Sequence, residues 1–415
     1  MLQKILNNKH QALLVLPVTA MPGIQRAFVV LLVQFTFGLQ SLGQFTNDLS
    51  IVFLMTHFTA IGWASLILVR VPSAKGVERL LVIRRMFRFI FPVLGVAVLL
   101  IVGLGLSGVV FQPLFMLGLL AGWTGYQLIR HFFVALREYR TLLTIDLLST
   151  GCMVVLLLLP GNRVDPLLAI GIPLMGITMA GFLYLMFELR HVEETAVRDS
   201  KDLKLGIELG TTNFLGEGMI LLLAPLANLL AGPSYAGLIG LVLSGVGIIL
   251  LFPRALAMYQ VPELARADKK EAPLQFLVMY RSFRQVLLKL LLIMGTALLL
   301  MATIGGPFLF PEAISLENAW TIFGLVLLST IIGQMGLPDS SRLMVKEQSH
   351  LMMRINAVAF GAFTTVAGIL YFMPWSVFNL VFLLVAQVAV NGMRSLLLNV
   401  YARRMHYGCL VESTT

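Results

Sequence analysis

Twelve stretches, each near the length of a bilayer-crossing helix and almost free of charge, follow one another through this chain. A spanning helix needs about 20 predominantly apolar residues. On that rule the stretches fall at 13–42, 49–69, 89–110, 114–136, 142–159 and 167–187. The second set falls at 207–230, 236–256, 285–310, 319–337, 355–373 and 377–401. Hydrophobic residues make up 58% of the chain and charged residues 12%, against about 25% charged in a soluble domain. An all-α polytopic membrane protein with twelve transmembrane helices is expected. Pro17 and Pro22 lie near the start of the first stretch, so that helix is expected to be kinked or unwound. The short apolar run before Pro17 is too brief for a secretory h-region, so the segment is expected to be retained.

The net charge is +10, which could suggest nucleic acid, but its placement says otherwise. Lys and Arg gather in alternate loops: Arg70, Lys75, Arg79, Arg84, Arg85 and Arg88 after the second stretch, and Arg137 and Arg140 after the fourth. Arg266, Lys269, Lys270, Arg281 and Arg284 follow the eighth, Arg342, Lys346 and Arg354 the tenth, and Arg403 and Arg404 the last. The other side holds Arg163, beside Asp165, with Glu312 and Glu317. This is the positive-inside pattern, and it predicts both termini in the cytoplasm and no nucleic-acid partner. The one long charged run, 188–208, falls near the middle of the chain and reads as a solvated joint. The chain therefore divides into an N-terminal lobe (1–187), a charged cytoplasmic linker (188–206) and a C-terminal lobe (207–415). Six spans on each side suggest two pseudo-symmetric six-helix lobes related as parallel repeats. Arg70-Val71-Pro72 and Val261-Pro262-Glu263, at matching places in the halves, are a faint echo of that symmetry.

Three segments carry a family resemblance. Arg254-Ala-Leu-Ala-Met-Tyr-Gln-Val-Pro-Glu-Leu-Ala-Arg266 is similar to the end of the eighth helix of polysaccharide flippases. Gly43-Gln44-Phe45, leading to Gly62 and Arg70-Val71-Pro72, surrounds the second span in the same manner. Tyr126-Gln127-Leu128-Ile129-Arg130, followed by Asp146-Leu147-Leu148, is the third. Together with the twelve-span plan, the chain resembles the Wzx-type O-antigen and capsule repeat-unit flippases of the MOP superfamily over nearly its whole length. The proline-broken first span departs from that pattern. The resemblance implies a MATE-like two-lobe fold and a multi-pass protein of the bacterial inner membrane. Its implied work is to move undecaprenyl-diphosphate-linked oligosaccharide from the cytoplasmic to the periplasmic leaflet, alongside other glycan-assembly membrane proteins.

Ionisable groups at depth are the candidate site, because a charge in hydrocarbon costs about 2.5–3.5 kcal/mol on insertion scales. Arg26 stands about 20 Å along the first span at 1.5 Å per residue, and guanidinium geometry suits phosphate. Glu217 holds a comparable depth in the seventh span, where it could pair with Arg26 or carry a coupling proton. His57 falls near mid-membrane and titrates close to neutrality in its unperturbed state. Arg130, Arg254 and Arg394 lie late in inward-running spans, where an anionic headgroup would enter; snorkelling anchors would look the same. Gln34, Gln40, Asn213 and Asn228 could bond sugar hydroxyls or join helices.

No nucleotide-binding, nucleophile-elbow or metalloprotease motif occurs, and Cys152 and Cys409 match no disulfide framework or metal spacing. No cofactor is expected, and transport would draw on gradients or on membrane potential. The rival within transporters is a MATE-like drug or cation antiporter, which would want an early acid where this chain has Arg26. A major-facilitator carrier would show a different basic loop after the second span. From another class, an O-antigen polymerase or ligase would bring a large external loop rich in arginine, and a glycan-assembly scaffold would need no site at all.

Overall fold

The computed structural model describes residues 2–72, 74–159, 164–190, 200–269, 273–309, 314–346 and 348–412. Among them there is no strand. The helices are α1 (Leu2–Thr56), a π-turn (His57–Ile61), α2 (Gly62–Arg70), α3 (Glu78–Leu106), α4 (Pro113–Leu136), α5 (Tyr139–Leu157), α6 (Pro166–Glu188) and α7 (Ser200–Leu221). There follow α8 (Leu223–Ala231), α9 (Pro233–Lys269), α10 (Pro273–Leu309), α11 (Leu316–Met335), α12 (Leu337–Val345), α13 (Ser349–Tyr371) and α14 (Val377–Glu412). Each of the twelve expected spans coincides with helix. Among the described residues, nine helical segments are long and apolar enough to cross a membrane. Within them, apolar side chains such as Leu99 (73% exposed) and Leu106 (87%) on α3 stand on the outer surface, which suits lipid and not water.

The first two spans are one rod by hydrogen bonding, bent at Gly38, where φ 80° and ψ 176° leave the helical region. Only glycine adopts that conformation without a penalty. The bend is a reversal. Arg26 and Phe53 lie 27 residues apart, about 40 Å on a straight helix, yet the Arg26 guanidinium is 5.1 Å from the Phe53 ring centroid. The expected break at Pro17 and Pro22 is corrected by this: both prolines lie inside helix, and the backbone departs from helical angles at Gly38.

Two compact units make up the chain, Met1–Asn228 and Leu229–Thr415. In the first, α4 and α6 touch through glycines. A Cβ on Gly125 would fall 2.1 Å from Thr178 Cγ2, and one on Gly122 would fall 2.9 Å from the Met175 nitrogen. The Thr178 hydroxyl donates to the Gly122 carbonyl at 2.9 Å, a polar contact of the kind close helix approach permits in membranes. The same device seats α7 on α2. A Cβ on Gly62 would meet the Gly206 oxygen at 2.1 Å, and one on Gly210 would meet the His57 oxygen at 2.6 Å. Trp63, fully buried, packs against Gly206 and donates its indole N–H to the Phe58 carbonyl at 2.7 Å.

α7 begins inside the charged run. Asp202, expected in a solvated linker, is buried, and Arg70 Nη2 at the end of α2 donates to it at 2.5 Å. Residues 191–199 of the run lie outside the described residues, as do Arg163, Lys270 and Glu312 and the side chains of Arg254, Arg266 and Lys269. In the second unit, α11 and α14 are joined by Asn391 Nδ2 donating to Ser329 Oγ at 2.9 Å and Ser395 Oγ donating to the Ile332 carbonyl at 2.8 Å.

Candidate functional site

Arg26 sits on the first arm of α1, twelve residues before the Gly38 bend, half-buried, with its guanidinium over Phe53. A cation over a ring face gains about 0.5–2 kcal/mol, most when water is excluded. Gln25, Val29, Leu49, Trp123, Met153 and Ile170 complete a narrow recess of about 20 Å³ around the pair, room for about one water. From there the rings continue: Phe53 to Trp123 at 4.7 Å between centroids, and Trp123 to Tyr126 at 5.9 Å.

That path ends on a buried ion pair. The Tyr126 hydroxyl donates to Asp146 Oδ1 at 2.5 Å, and Arg130 Nε lies 3.6 Å from Asp146 Oδ2. Asp146 is wholly buried and the Arg130 side chain 11% exposed. A second contact joins the backbone of α5 to the Arg26 helix. Gln25 Nε2 donates to Ser149 Oγ at 3.3 Å, and Ser149 Oγ donates to the Asp146 carbonyl at 3.0 Å. Arg130 also holds α1 directly. Pro22 has no amide hydrogen, so the Val18 carbonyl four residues before it loses its helical donor, and Arg130 Nη2 donates to that carbonyl. The departure of the first span from the flippase pattern thus has a structural partner in Arg130.

His57 opens the π-turn, an element that often marks functional sites. Its Nδ1 is 2.9 Å from the Phe53 carbonyl. A carbonyl only accepts, so Nδ1 carries the hydrogen, and in the neutral ring Nε2 presents a lone pair. Glu217 Oε2, on α7, stands 3.9 Å from that nitrogen. His57 is buried and Glu217 half-exposed. A proton taken up by either group would tie the two together. Phe53 therefore serves both sides, its ring under Arg26 and its carbonyl on His57.

The remaining expected residues are dispersed. Arg394 belongs to the second unit, where its Nε donates to Asn356 Oδ1 at 2.8 Å. The Arg254 side chain lies outside the described residues. Gln34 has a buried side-chain oxygen with no hydrogen-bond partner among the described residues. Gln40 is exposed, and Asn213 and Asn228 are half-buried. Reasoning on sequence missed Phe53 and Trp123, which look like any apolar-span aromatics. Tyr126, Arg130 and Asp146 did stand in one quoted segment pair, and they meet. Groups of His, Cys, Asp and Glu able to hold a metal are absent among the described residues.

No protein family and no curated protein matches this sequence. Solved structures do match the fold. The DinF-BH multidrug MATE transporter, solved as a ligand complex, aligns with a TM-score of 0.64 at 13% identity over 95% of this chain and 94% of its own. A eukaryotic MATE transporter gives 0.63 at 14% identity over 96% and 95%. A MOP-superfamily transporter from Pyrococcus furiosus, whose binding pocket of reverse polarity suggests a different function, gives 0.57 at 13% identity over 95% of each chain. Helix order and these alignments together give the chain the fold of the MATE transporters of the MOP superfamily.

Proposed function

We propose that this protein is a transporter that carries a polyprenyl-diphosphate-linked oligosaccharide across a bacterial cytoplasmic membrane, by alternating access between two pseudo-symmetric lobes. The observation that carries the reading is Arg26. It is a guanidinium at mid-span, half-buried over Phe53 and joined through rings to the Arg130–Asp146–Tyr126 cluster. A site built for organic cations would place an acid there; a guanidinium suits phosphate. The Pyrococcus transporter with a pocket of reverse polarity supports the idea that this fold accepts the opposite sign of cargo. Membrane potential favours the direction, since moving one negative charge outward releases about 2.3 kcal/mol per 100 mV. His57 and Glu217, 3.9 Å apart, are the candidate carriers of a coupling proton.

The test is to replace the gene and follow which leaflet accumulates the lipid-linked glycan. Arg26→Ala should leave it on the cytoplasmic side at normal protein level, with Arg26→Lys partly active. Glu217→Gln should export without responding to collapse of the proton gradient. Normal export by Arg26→Ala would remove the phosphate grip. The second reading, a cation antiporter, is favoured by the multidrug MATE structures among the matches and predicts that Arg26→Ala improves efflux of cationic dyes.

A further inference from the structure

A second recess lies in the first unit, at the end where α1 turns back. It has a volume of about 360 Å³ and lies between the Gly38 bend, the start of α4 and the start of α6. Its lining carries aromatic rings, Phe45, Phe111 and Phe115 among them, and the oxygen-bearing side chains of Asp48, Gln112 and Asp165. No lysine, arginine or histidine lines it among the described residues.

Both carboxylates are tied to chain segments that start helices. Asp48 accepts the backbone N–H of Gln112 at 2.9 Å and that of Phe111 at 3.2 Å, and the Asn47 amide at 2.8 Å. Asp165 caps α6 by accepting the Leu167 N–H at 2.8 Å. Helix N-termini carry partial positive charge and donors that offset a carboxylate. What remains is acceptor capacity, since an ionised carboxylate has about four lone-pair sites. Gln112 adds a buried side-chain oxygen with no hydrogen-bond partner among the described residues. A matching occupant is rich in donors and has an apolar face to lay on phenyl rings. A pyranose ring, with hydroxyls at its edge and C–H groups on its face, has that chemistry.

We infer that this recess is a carbohydrate subsite that takes one neutral hexose unit of the cargo. The assignment deepens the glycan-transport reading and rests on it for the source of the sugar. The charge alternation of the loops puts the recess at the outer mouth, so the subsite would act on the release side.

The experiment is saturation-transfer NMR on the full chain in nanodiscs with methyl α-glucoside or N-acetylglucosamine. Wild type should transfer to ring protons of at least one sugar. Ser41→Trp, which fills the recess from its lining, should abolish the signal with the helical circular dichroism unchanged. Gln112→Ala, a smaller change that keeps the test open should the tryptophan variant misfold, should weaken affinity about fivefold, the size expected for one hydrogen bond. No transfer from either sugar in wild type would overturn the proposal, and so would equal transfer in both variants. Saturation of a cationic rhodamine dye in place of sugar, lost in Ser41→Trp, would overturn it in favour of an organic-cation pocket. Neither sugar carries a phosphate, so their transfer reports on this recess and not on the recess that holds Arg26. A failure of the diphosphate reading and a failure of the sugar subsite are thereby told apart.

Discussion

Each unit buries a tyrosine hydroxyl on an aspartate, and the two differ in what balances that acid. In the first unit, Tyr126 and Arg130 both address Asp146, and Arg130 reaches on to the Val18 carbonyl of α1. In the second, Tyr280 donates to Asp339 and Asn399 Nδ2 donates at 3.2 Å. The nearby Arg342, 4% exposed, lies with its guanidinium 5.1 Å over the Tyr280 ring and 5.8 Å from that of Phe276. One unit thus couples its buried acid to a cation that also clamps a proline-containing helix. The other satisfies it with neutral donors and parks its cation on rings. An ion pair that touches three helices can transmit a change at one of them; neutral amide and hydroxyl seams of the Asn391–Ser329 kind chiefly hold helices together. If the proposed transport holds, the first unit is where rearrangement on binding should originate.

The largest expected effect falls on that contrast. Asp146→Ala would strand the Arg130 guanidinium in a nearly dry site, and removing one partner of a buried pair costs about 3–5 kcal/mol. Asp339→Ala would leave neutral donors unmatched, at about 1–3 kcal/mol. Thermal unfolding of the two purified variants in the same detergent gives the ranking. Equal losses would erase the distinction and make Arg342 the ionic partner of Asp339. A larger loss for Asp339→Ala would reverse it.

The same contrast shows what the sequence made legible. Apolar length placed the expected spans on helix, because the bilayer fixes how many residues a helix needs, and nine helical segments among the described residues are long and apolar enough to cross. It could not see helix that continues past hydrocarbon. α3 starts at Glu78, α9 runs to Lys269 and α10 starts at Pro273, each extending into a basic stretch that hydropathy reads as loop. α7 likewise begins at Ser200, within residues that look like linker. In the site, ionisable residues at depth stood out because their desolvation is costly, and two of them, His57 and Glu217, come within 3.9 Å of each other. Phe53 was invisible, because its role comes from the reversal at Gly38, which brings two distant stretches of one chain together. Pro22 was noticed for the wrong consequence. It frees a carbonyl without interrupting the helix, and the donor arrives from a different span.

The smallest effect concerns how α7 belongs to the first unit. Two attachments compete: the glycine seam of Gly62, Gly206 and Gly210, and the Arg70–Asp202 pair at 2.5 Å. Arg70 is 44% exposed at its side chain although Asp202 is 4% exposed, so water and salt screen the pair. Exposed or half-exposed pairs contribute about 0.2–1 kcal/mol, and the contribution shrinks as the Debye length falls from about 10 Å at 0.1 M to about 3 Å at 1 M salt. The glycine contacts are steric and insensitive to salt. Arg70→Ala should accordingly lower stability by under about 1 kcal/mol at low salt, and by less at high salt. Hydrogen exchange along α7 should stay slow. Rapid exchange throughout α7 in that variant would mean that the ion pair, and not the close backbone approach, holds the helix to the unit that carries Arg26.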